Sequence, residues 1–231
     1  MSLRLAVFAS GGGSNLQALL DRFNQSKDSL VRVALVLSDR ADAGALARAR
    51  AARVDSALIN AAKPSDYAAR EMLAALEGAD VDLIALAGYL KLVPPAVVRR
   101  YRGRLLNIHP ALLPSFGGKG MYGLRVHQAV LASGCTLSGA TVHHVDEKYD
   151  EGHIVAQWPV PVLTGDTPEL LAARVLTVEH MLYPAAVQLV AQSLSADEAL
   201  AAGMRAPATA FVTVQQTAPD EAALRRALGI D

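Results

Sequence analysis

Short apolar runs alternate with amphipathic stretches along most of the chain. Strand-like runs occupy residues 3–9, 31–37, 57–60, 80–87 and 104–108. Helical spacing of apolar residues follows these runs, at residues 16–23, 43–53, 64–76, from Pro95 onward and at 124–132. The alternation predicts a Rossmann-like α/β fold, in which an open, mostly parallel sheet with right-handed crossovers carries helices on both faces.

The pattern changes in the last third of the chain. Residues 139–145 and 154–162 alternate like neighbouring antiparallel strands, which predicts an antiparallel C-terminal strand pair. Residues 167–192 have the spacing of a long helix that Thr167 caps, with Pro168 at its first position. We therefore expect one domain over residues 1–192. Residues 193–231 would be a C-terminal appendage packed on it, with a short helix near 197–202, a strand near 209–214 and a helix from Pro219.

Composition excludes several classes of protein. Of 231 residues, 52% are apolar and 19% charged, and 22 acidic residues balance 22 basic ones. No net charge draws the chain to nucleic acid or to an anionic membrane. We see no signal peptide and no membrane-spanning run, so we expect a cytoplasmic protein. The single cysteine, Cys135, excludes an internal disulfide and is predicted to be a small packing residue.

The candidate catalytic residues lie where one apolar run meets two prolines. Asn107 and His109 lie at the end of a predicted strand, which Pro110 and Pro114 prevent from continuing. Because the two residues are two positions apart, their side chains point to the same side of the extended backbone. Ligands of open α/β sheets gather at this end of the strands. The alternative is a core asparagine and a satisfied histidine at a tight turn.

Three successive glycines, at positions 11–13, separate the first strand from the first helix. Ser14 or a neighbour would cap that helix, and the exposed amides there favour a phosphate group. A plain strand-to-helix turn is the alternative, although it needs only one glycine. The loop lacks the spacing of a dinucleotide site, and Arg40 directly follows Asp39, so a nicotinamide-dependent dehydrogenase is disfavoured.

Two loops should border the same end of the sheet. Residues 114–123 contain four glycines and are expected to form a lid near His109. Residues 146–152 contain four acids and join the two antiparallel strands. Such a run is often only a solvated loop, but here the strands would return it to the face that carries His109.

Three segments in order resemble phosphoribosylglycinamide formyltransferases, folate-dependent enzymes of purine biosynthesis in the formyltransferase superfamily. They read SGGGSNL at residues 10–16, LNIHPALLP at 106–114 and TVHHVDEKYD at 141–150. The resemblance covers about residues 3–192. It implies transfer of the formyl group of 10-formyltetrahydrofolate to the amine of 5'-phosphoribosylglycinamide, with small-molecule partners and no metal. It leaves monomer or homodimer open.

The resemblance also implies roles for individual residues. The catalytic residues would be Asn107, His109 and Asp150. Substrate would be bound by Gly13, Ser14, Asn15 and Glu179. The folate would be bound by Leu90, Lys91, Leu92, Val93, Asn107, Asp146, Glu147, Lys148, Tyr149 and Asp150.

The expected chemistry is acyl transfer through a tetrahedral intermediate, whose oxyanion needs facing hydrogen-bond donors. An amide and an imidazolium can supply them. We expect the Asp150 carboxylate to raise the pKa of His109 above its reference value of ~6.5 and so keep the ring charged.

Two positions depart from the resemblance. Relatives often carry a basic residue just before the position of Tyr67, where Lys63 is the nearest cation here, and a lysine or polar residue at Leu176. Lys119 could supply a lost charge. The rival interpretations are another formyltetrahydrofolate-using enzyme, either methionyl-tRNA formyltransferase or formyltetrahydrofolate hydrolase, and a catalytically silent nucleotide-binding module.

Overall fold

A computed structural model describes residues 2–26, 28–59 and 65–201 of the chain. Within these ranges the chain builds one sheet in the order β3-β2-β1-β4-β5-β6-β7. The strands are β1 (Leu3–Phe8), β2 (Val31–Ser38), β3 (Asp55–Leu58), β4 (Leu83–Leu86), β5 (Leu105–His109), β6 (Leu137–His144) and β7 (Ile154–Pro161). The first five strands pair in parallel, and β5-β6 and β6-β7 are antiparallel. The predicted fold class is confirmed.

Helices cover both faces of this sheet. They are α1 (Ser14–Phe23), α2 (Gly44–Ala51), α3 (Ser65–Gly78), α4 (Pro95–Arg100), α5 (Leu124–Ala132) and α6 (Pro168–Ala201). Alternation along β1 shows how the faces are filled. Leu5 and Val7 pack in the cluster that includes residues of α1, α2 and α6, whereas Ala6 and Phe8 pack in the cluster that includes α3 and α4. A strand that is buried on both faces has apolar residues at successive positions, which is why β1 and β4 are so apolar.

The long helix α6 runs from Pro168 to Ala201 without a break in assignment. Thr167 Oγ1 accepts a hydrogen bond from the Leu170 amide (3.3 Å), so the predicted cap is present. The helix continues past residue 192, where it was expected to end. The prediction of a separate short helix near 197–202 is therefore wrong, because residues up to Ala201 belong to α6. Neither glycine nor proline lies between 193 and 201 to end the helix. The strand and helix predicted beyond residue 202 lie outside the described residues, and the appendage stays a prediction.

One described helix has the length and apolar composition of a membrane span, in the stretch Pro168–Ala196. Half of the apolar 18-residue window within that stretch is buried inside the protein. Val175, Leu182, Tyr183 and Val187 are among its buried side chains, which pack in the same cluster as β1. The apolar character of α6 is thus used in the core of the fold.

Cys135 is exposed, so its prediction as a packing residue is wrong. It lies in the turn between α5 and β6, where its backbone N–H donates to Ser133 Oγ (3.3 Å). A turn at the surface leaves its small side chain without a cavity to fill.

The strand order reverses beside β1, which is flanked by β2 and by β4. Such a reversal opens a crevice at the carboxyl ends of the two strands, because their connections leave in opposite directions. The glycine loop follows β1, residues 87–94 follow β4, and His109 ends β5. The chain therefore brings its candidate residues to one end of the sheet.

Candidate functional site

A cavity of about 650 Å³ lies at this end of the sheet. Asn107, His109 and Asp150 line it together, and so do Asn15 of α1 and Glu179 of α6. Its size suits a ligand of drug or cofactor dimensions. Residues that are far apart in sequence thus share one cavity.

Asp150 is close to the catalytic candidates of β5. Its Oδ2 lies 3.6 Å from His109 Nδ1, and its Oδ1 lies 3.4 Å from Asn107 Nδ2. Asp150 has a left-handed backbone (φ 57°), which turns the connector between β6 and β7 back over the sheet. The expected juxtaposition of Asp150 and His109 is therefore present in the geometry.

The lid contacts both members of this pair through its backbone. His109 Nε2 lies 2.8 Å from the Phe116 carbonyl oxygen, which can only accept, so Nε2 carries a proton. The Gly118 N–H donates to Asp150 Oδ2 (2.9 Å). A Cβ on Gly117 would approach the Leu113 Cδ2 and Asp150 Cβ atoms, so glycine lets this loop pack closely against Asp150. Both nitrogens of the His109 ring therefore face protein atoms.

The expectation of a raised His109 pKa is wrong for this structure. Burial lowers the pKa of His109 below 6.5 by more than the Asp150 carboxylate and the Phe116 carbonyl raise it, and the neighbouring His143 lowers it further. The ring is only 3% exposed, so its charged form loses most of its hydration. Burial also raises the pKa of Asp150, but His143, the Gly118 amide and His109 outweigh it, and the net direction is down. The pair is thus a carboxylate beside a neutral imidazole.

Two further histidines at this cavity were not singled out from the sequence. His143, 2% exposed, has its Nε2 atom 3.1 Å from Asn107 Nδ2. His127 of α5 is 3% exposed, and its Nδ1 has no hydrogen-bond partner among the described residues. Burial lowers the pKa of His127. The doublet at positions 143 and 144 looked like ordinary strand residues, and only the pairing of β6 with β5 gives His143 its neighbours.

The glycine loop turns into α1 through Gly13, which has a left-handed backbone (φ 75°). A Cβ there would also lie 2.8 Å from the Ala45 Cα, so conformation and close packing both require glycine. No side chain caps α1 in the described part of the chain, contrary to the cap expected of Ser14 or a neighbour. The first amides of the helix remain available to a ligand, as an anion site requires.

Asn15 and Glu179 connect this loop with α6. Asn15 Nδ2 donates to Glu179 Oε2 (2.6 Å), and both side chains are 8% exposed. Burial raises the pKa of Glu179 to about 7, although the Asn15 hydrogen bond lowers it. The group therefore titrates near neutrality, where a bound cation or hydroxyl can decide its charge.

Arg48 of α2 supplies a positive charge that the glycine loop itself lacks. Its Nε donates to the Gly12 carbonyl (2.8 Å), and its Nη1 donates to Gln17 Oε1 (2.9 Å). An arginine on an alanine-rich helix gave no sign of this contact in the sequence. The loop is thus held from outside by a cation.

Comparison with known proteins agrees with this arrangement. The sequence profile of the family described as Formyl transferase matches residues 3–187. The chain belongs to the formyl transferase family. The chloroplastic phosphoribosylglycinamide formyltransferase of Vigna unguiculata is 44% identical over 192 residues, which are 82% of this chain and 61% of the relative. The Arabidopsis thaliana protein of the same name is 47% identical over 185 residues, 78% of this chain and 62% of the relative.

A solved structure has the same fold. Glycinamide ribonucleotide transformylase 1 from Symbiobacterium toebii superposes with a TM-score of 0.77 at 42% identity, covering 83% of this chain and 89% of that one. The chain spans less than two thirds of the plant relatives' length, at 61% and 62%. Both plant relatives are named as chloroplastic, and the cytoplasmic location expected here stays a prediction.

The residues expected to hold the folate divide into two groups. Leu90, Lys91, Leu92 and Val93 line the cavity, as do Lys148, Tyr149 and Asp150. Asp146 and Glu147 are not among the lining residues. The side chain of Asp146 accepts the Lys148 N–H (2.8 Å), and that of Glu147 pairs with Arg102 (2.9 Å). These two acids shape the connector and lie outside the cavity wall.

Three positions raised by departures from the resemblance can be located in part. Leu176 and Lys119 both line the cavity, whereas Lys63 lies outside the described residues. Across residues 2–26, 28–59 and 65–201, no three histidine, cysteine or acidic side chains are grouped to hold a metal ion.

Proposed function

We propose that the protein transfers the formyl group of 10-formyltetrahydrofolate to the amine of 5'-phosphoribosylglycinamide, giving formylglycinamide ribonucleotide and tetrahydrofolate. One observation carries the proposal. Asn107, His109 and Asp150 share a cavity with Asn15 and Glu179, at the edge where α1 begins. The names of the relatives, which are phosphoribosylglycinamide formyltransferases, support the same substrate.

The phosphate of the ribonucleotide would bind the first amides of α1. Helix N-termini favour anions through their unpaired N–H groups and the positive end of the dipole. The first turn of α1 has no acidic residue to oppose a phosphate. Arg48 adds positive charge beside the loop, and Glu179 would contact the glycinamide end of the substrate.

The formyl donor would occupy the part of the cavity next to β4 and β5. Leu90, Leu92 and Val93 offer an apolar wall for a planar ring system, and Leu90 and Leu92 are 47% and 45% exposed toward it. Lys148 and Tyr149 border the same space. A volume of about 650 Å³ is adequate for most of such a donor.

The reaction requires that a proton leave the amine of the substrate and that the oxyanion of the tetrahedral intermediate be stabilised. The glycinamide nitrogen forms a bond to the formyl carbon, the bond from that carbon to N10 breaks, and the amine proton ends on N10. Asn107 can donate an N–H to the developing oxyanion. A neutral His109 can take the amine proton and return it, and Asp150 stabilises the imidazolium present between the two transfers.

His109 must first lose its contact with the lid. In the described conformation Nε2–H donates to the Phe116 carbonyl. Once that carbonyl has left, the proton can reside on Nδ1, which faces Asp150, and Nε2 becomes the atom that accepts a proton. Substrate binding would thus be coupled to a movement of residues 114–123.

Turnover of the formyl donor by purified protein tests this proposal. We expect tetrahydrofolate only when phosphoribosylglycinamide is present, and little with water, with initiator tRNA carrying methionine, or with the glycinamide riboside lacking phosphate. His109→Ala and Asn107→Ala should each lower kcat by ~10²–10³, since each removes a group that contacts the reacting atoms. Arg40→Gln at an exposed ion pair is the matched control and should retain full activity. Equal turnover without the ribonucleotide would disprove the substrate assignment.

A further inference from the structure

His143 lies directly opposite Asn107 in the antiparallel pairing of β5 with β6. Its ring is 2% exposed, and the register of β6 against β7 shifts between Val142 and His143. Neither the resemblance nor the catalytic roles argued above give this residue a function. Its contacts nevertheless define which way the Asn107 amide is turned.

The backbone fixes which nitrogen of His143 carries a proton. Nδ1 lies 2.8 Å from the His144 carbonyl oxygen, and a carbonyl oxygen can only accept a hydrogen bond. Nδ1 must therefore be protonated for this contact to be favourable. In a neutral ring the other nitrogen, Nε2, then has a free lone pair.

That lone pair faces Asn107. The distance from His143 Nε2 to Asn107 Nδ2 is 3.1 Å, within the usual range for a hydrogen bond, whereas Asp150 Oδ1 is farther from Nε2, at 3.5 Å. With the amide reversed, the Asn107 oxygen would face both a nitrogen lone pair and a carboxylate oxygen. His143 and Asp150 therefore favour the same amide orientation.

We propose that His143 is a positioning residue that accepts a hydrogen bond at Nε2 and so holds the Asn107 amide with its nitrogen toward the reacting groups. The inference rests on the proposed function, because it assigns Asn107 a donor's role in that reaction. One N–H of Asn107 donates to His143 Nε2. The other makes only a long contact of 3.4 Å with Asp150 Oδ1 and can turn to a substrate oxygen.

The two oxygens of the Asp150 carboxylate also have different neighbours. Asp150 Oδ2 accepts the Gly118 N–H (2.9 Å) and lies near His109 Nδ1 (3.6 Å). Asp150 Oδ1 faces Asn107 and His143.

Two substitutions separate the functions of the two ring nitrogens. His143→Gln places an amide oxygen near the position of Nε2 and can still accept from Asn107. His143→Asn reaches only to the position of Nδ1 and cannot. We expect kcat to fall by roughly tenfold to a hundredfold in His143→Asn, less than the ~10²–10³ expected for losing the donor itself. KM for both substrates should stay unchanged, and His143→Gln should retain most of the activity.

A double mutant tests whether His143 acts through Asn107. In an Asn107→Ala background, His143→Asn should lower kcat by less than about twofold, because the group it orients is gone. Multiplicative effects of the two substitutions would overturn the proposal, and so would equal losses in His143→Asn and His143→Gln.

Nitrogen NMR of the wild-type protein gives a readout that needs no substrate and no variant. With ¹⁵N-labelled histidine, the His143 ring should show a protonated Nδ1 and an unprotonated, hydrogen-bonded Nε2, and the Nε2 signal should shift in Asn107→Ala. A ring protonated on Nε2, whether neutral or charged, would overturn the proposal even if the His143 variants failed to fold. If the tautomer is as expected but no formyl transfer occurs, the proposed function fails while the orientation of Asn107 stands.

Discussion

His109 has two ring nitrogens with different surroundings, and the difference decides how the residue can act. Nε2 faces the Phe116 carbonyl, and Nδ1 faces Asp150 at 3.6 Å, beyond normal hydrogen-bond length. Because burial outweighs the carboxylate, the pKa of His109 is lowered. A proton acceptor that becomes charged only during the reaction therefore fits this site better than a permanently charged donor.

Asp150→Asn tests the balance at this pair. Removal of the carboxylate charge should lower the pKa of His109 further, since Asp150 is the strongest influence that raises it. It should also cut kcat more than it changes KM, because the charge is needed when the imidazole is protonated. A ¹H NMR titration of His109 and steady-state kinetics measure the two effects. Asp146→Asn in the same connector is the control, and a rise of the His109 pKa in Asp150→Asn would contradict the assignment.

Glu179→Gln should change stability in a pH-dependent way. Burial raises the pKa of Glu179 from 4.5 to about 7. The contribution of this group to the unfolding free energy is therefore fully present below pH 4.5 and is lost as the pH rises through 7. Replacement should leave unfolding free energy unchanged near pH 4.5 and raise it near pH 8, by up to ~3 kcal/mol at 1.36 kcal/mol per pKa unit. The amide oxygen can still accept from Asn15. Urea unfolding at the two pH values measures this, with exposed Glu169→Gln as control; a gain at low pH would contradict it.

The bounds of helices and strands were predicted best where the apolar side of the element is buried against the rest of the fold. α5 was expected at residues 124–132 and is found at Leu124–Ala132. β3 was expected at residues 57–60 but is found at Asp55–Leu58, because this edge strand has three exposed residues of its four and little apolar signal. The neighbours of His143 and Arg48 depend on strand register and helix packing, which no local pattern contains.

Gly13→Ala tests the junction of β1 and α1. Alanine must adopt φ 75° and bring its Cβ within 2.8 Å of the Ala45 Cα. The left-handed backbone alone costs about 1–2 kcal/mol, and the clash would shift the amides that face the phosphate. We expect lower unfolding free energy and a raised KM for the ribonucleotide with KM for the folate unchanged. Gly12→Ala has open space at its Cβ and is the matched control; equal effects in both variants would refute the argument.

The lid should respond to the charge of Asp150. The Gly118 N–H donates to that carboxylate, and a charge-assisted hydrogen bond is roughly twice as strong as a neutral one. Asp150→Asn should therefore speed amide hydrogen exchange at Gly118 and its neighbours, whereas Asp146→Asn should not. In the wild type, both substrates together should change exchange across residues 116–123. Unaltered exchange in all three comparisons would argue against a lid.

For the whole molecule, one end of the sheet contains the chemistry and the rest supplies a rigid support. The mostly parallel sheet and its antiparallel end could be predicted from sequence, since strands and helices alternate and the late strands change period, whereas the order of the strands was not predicted. The protonation states in the site could not be predicted from sequence, because the burial of His109 and Glu179 results from elements spread from α1 to α6. Burial consequently keeps several histidines uncharged near neutral pH, and the stability of the entire fold should therefore depend on pH.

Acidification below pH ~6.5 should destabilise the protein through its buried histidines. Burial, complete at His109 and His127 and partial at His144 and His180, lowers the pKa of all four, so the unfolded chain binds protons in a range where the folded chain does not. Unfolding free energy therefore rises with pH in this window, by at most ~1.4 kcal/mol per pH unit for each such group. Glu179 acts in the opposite direction between pH 4.5 and about 7, and the four histidines together should outweigh it.

His127→Leu isolates one histidine of this set. The variant removes a 3% exposed ring whose Nδ1 has no partner in the described part of the chain, and it replaces the ring with an apolar group. We expect its unfolding free energy to depend less steeply on pH between 5 and 6.5, by up to ~1.4 kcal/mol per pH unit, and to match or exceed that of the wild type at pH 5. Urea titrations at half-unit pH steps would measure both slopes. Parallel curves for the two proteins would mean that His127 is protonated in the folded state, and the account of a neutral cavity wall would then fail.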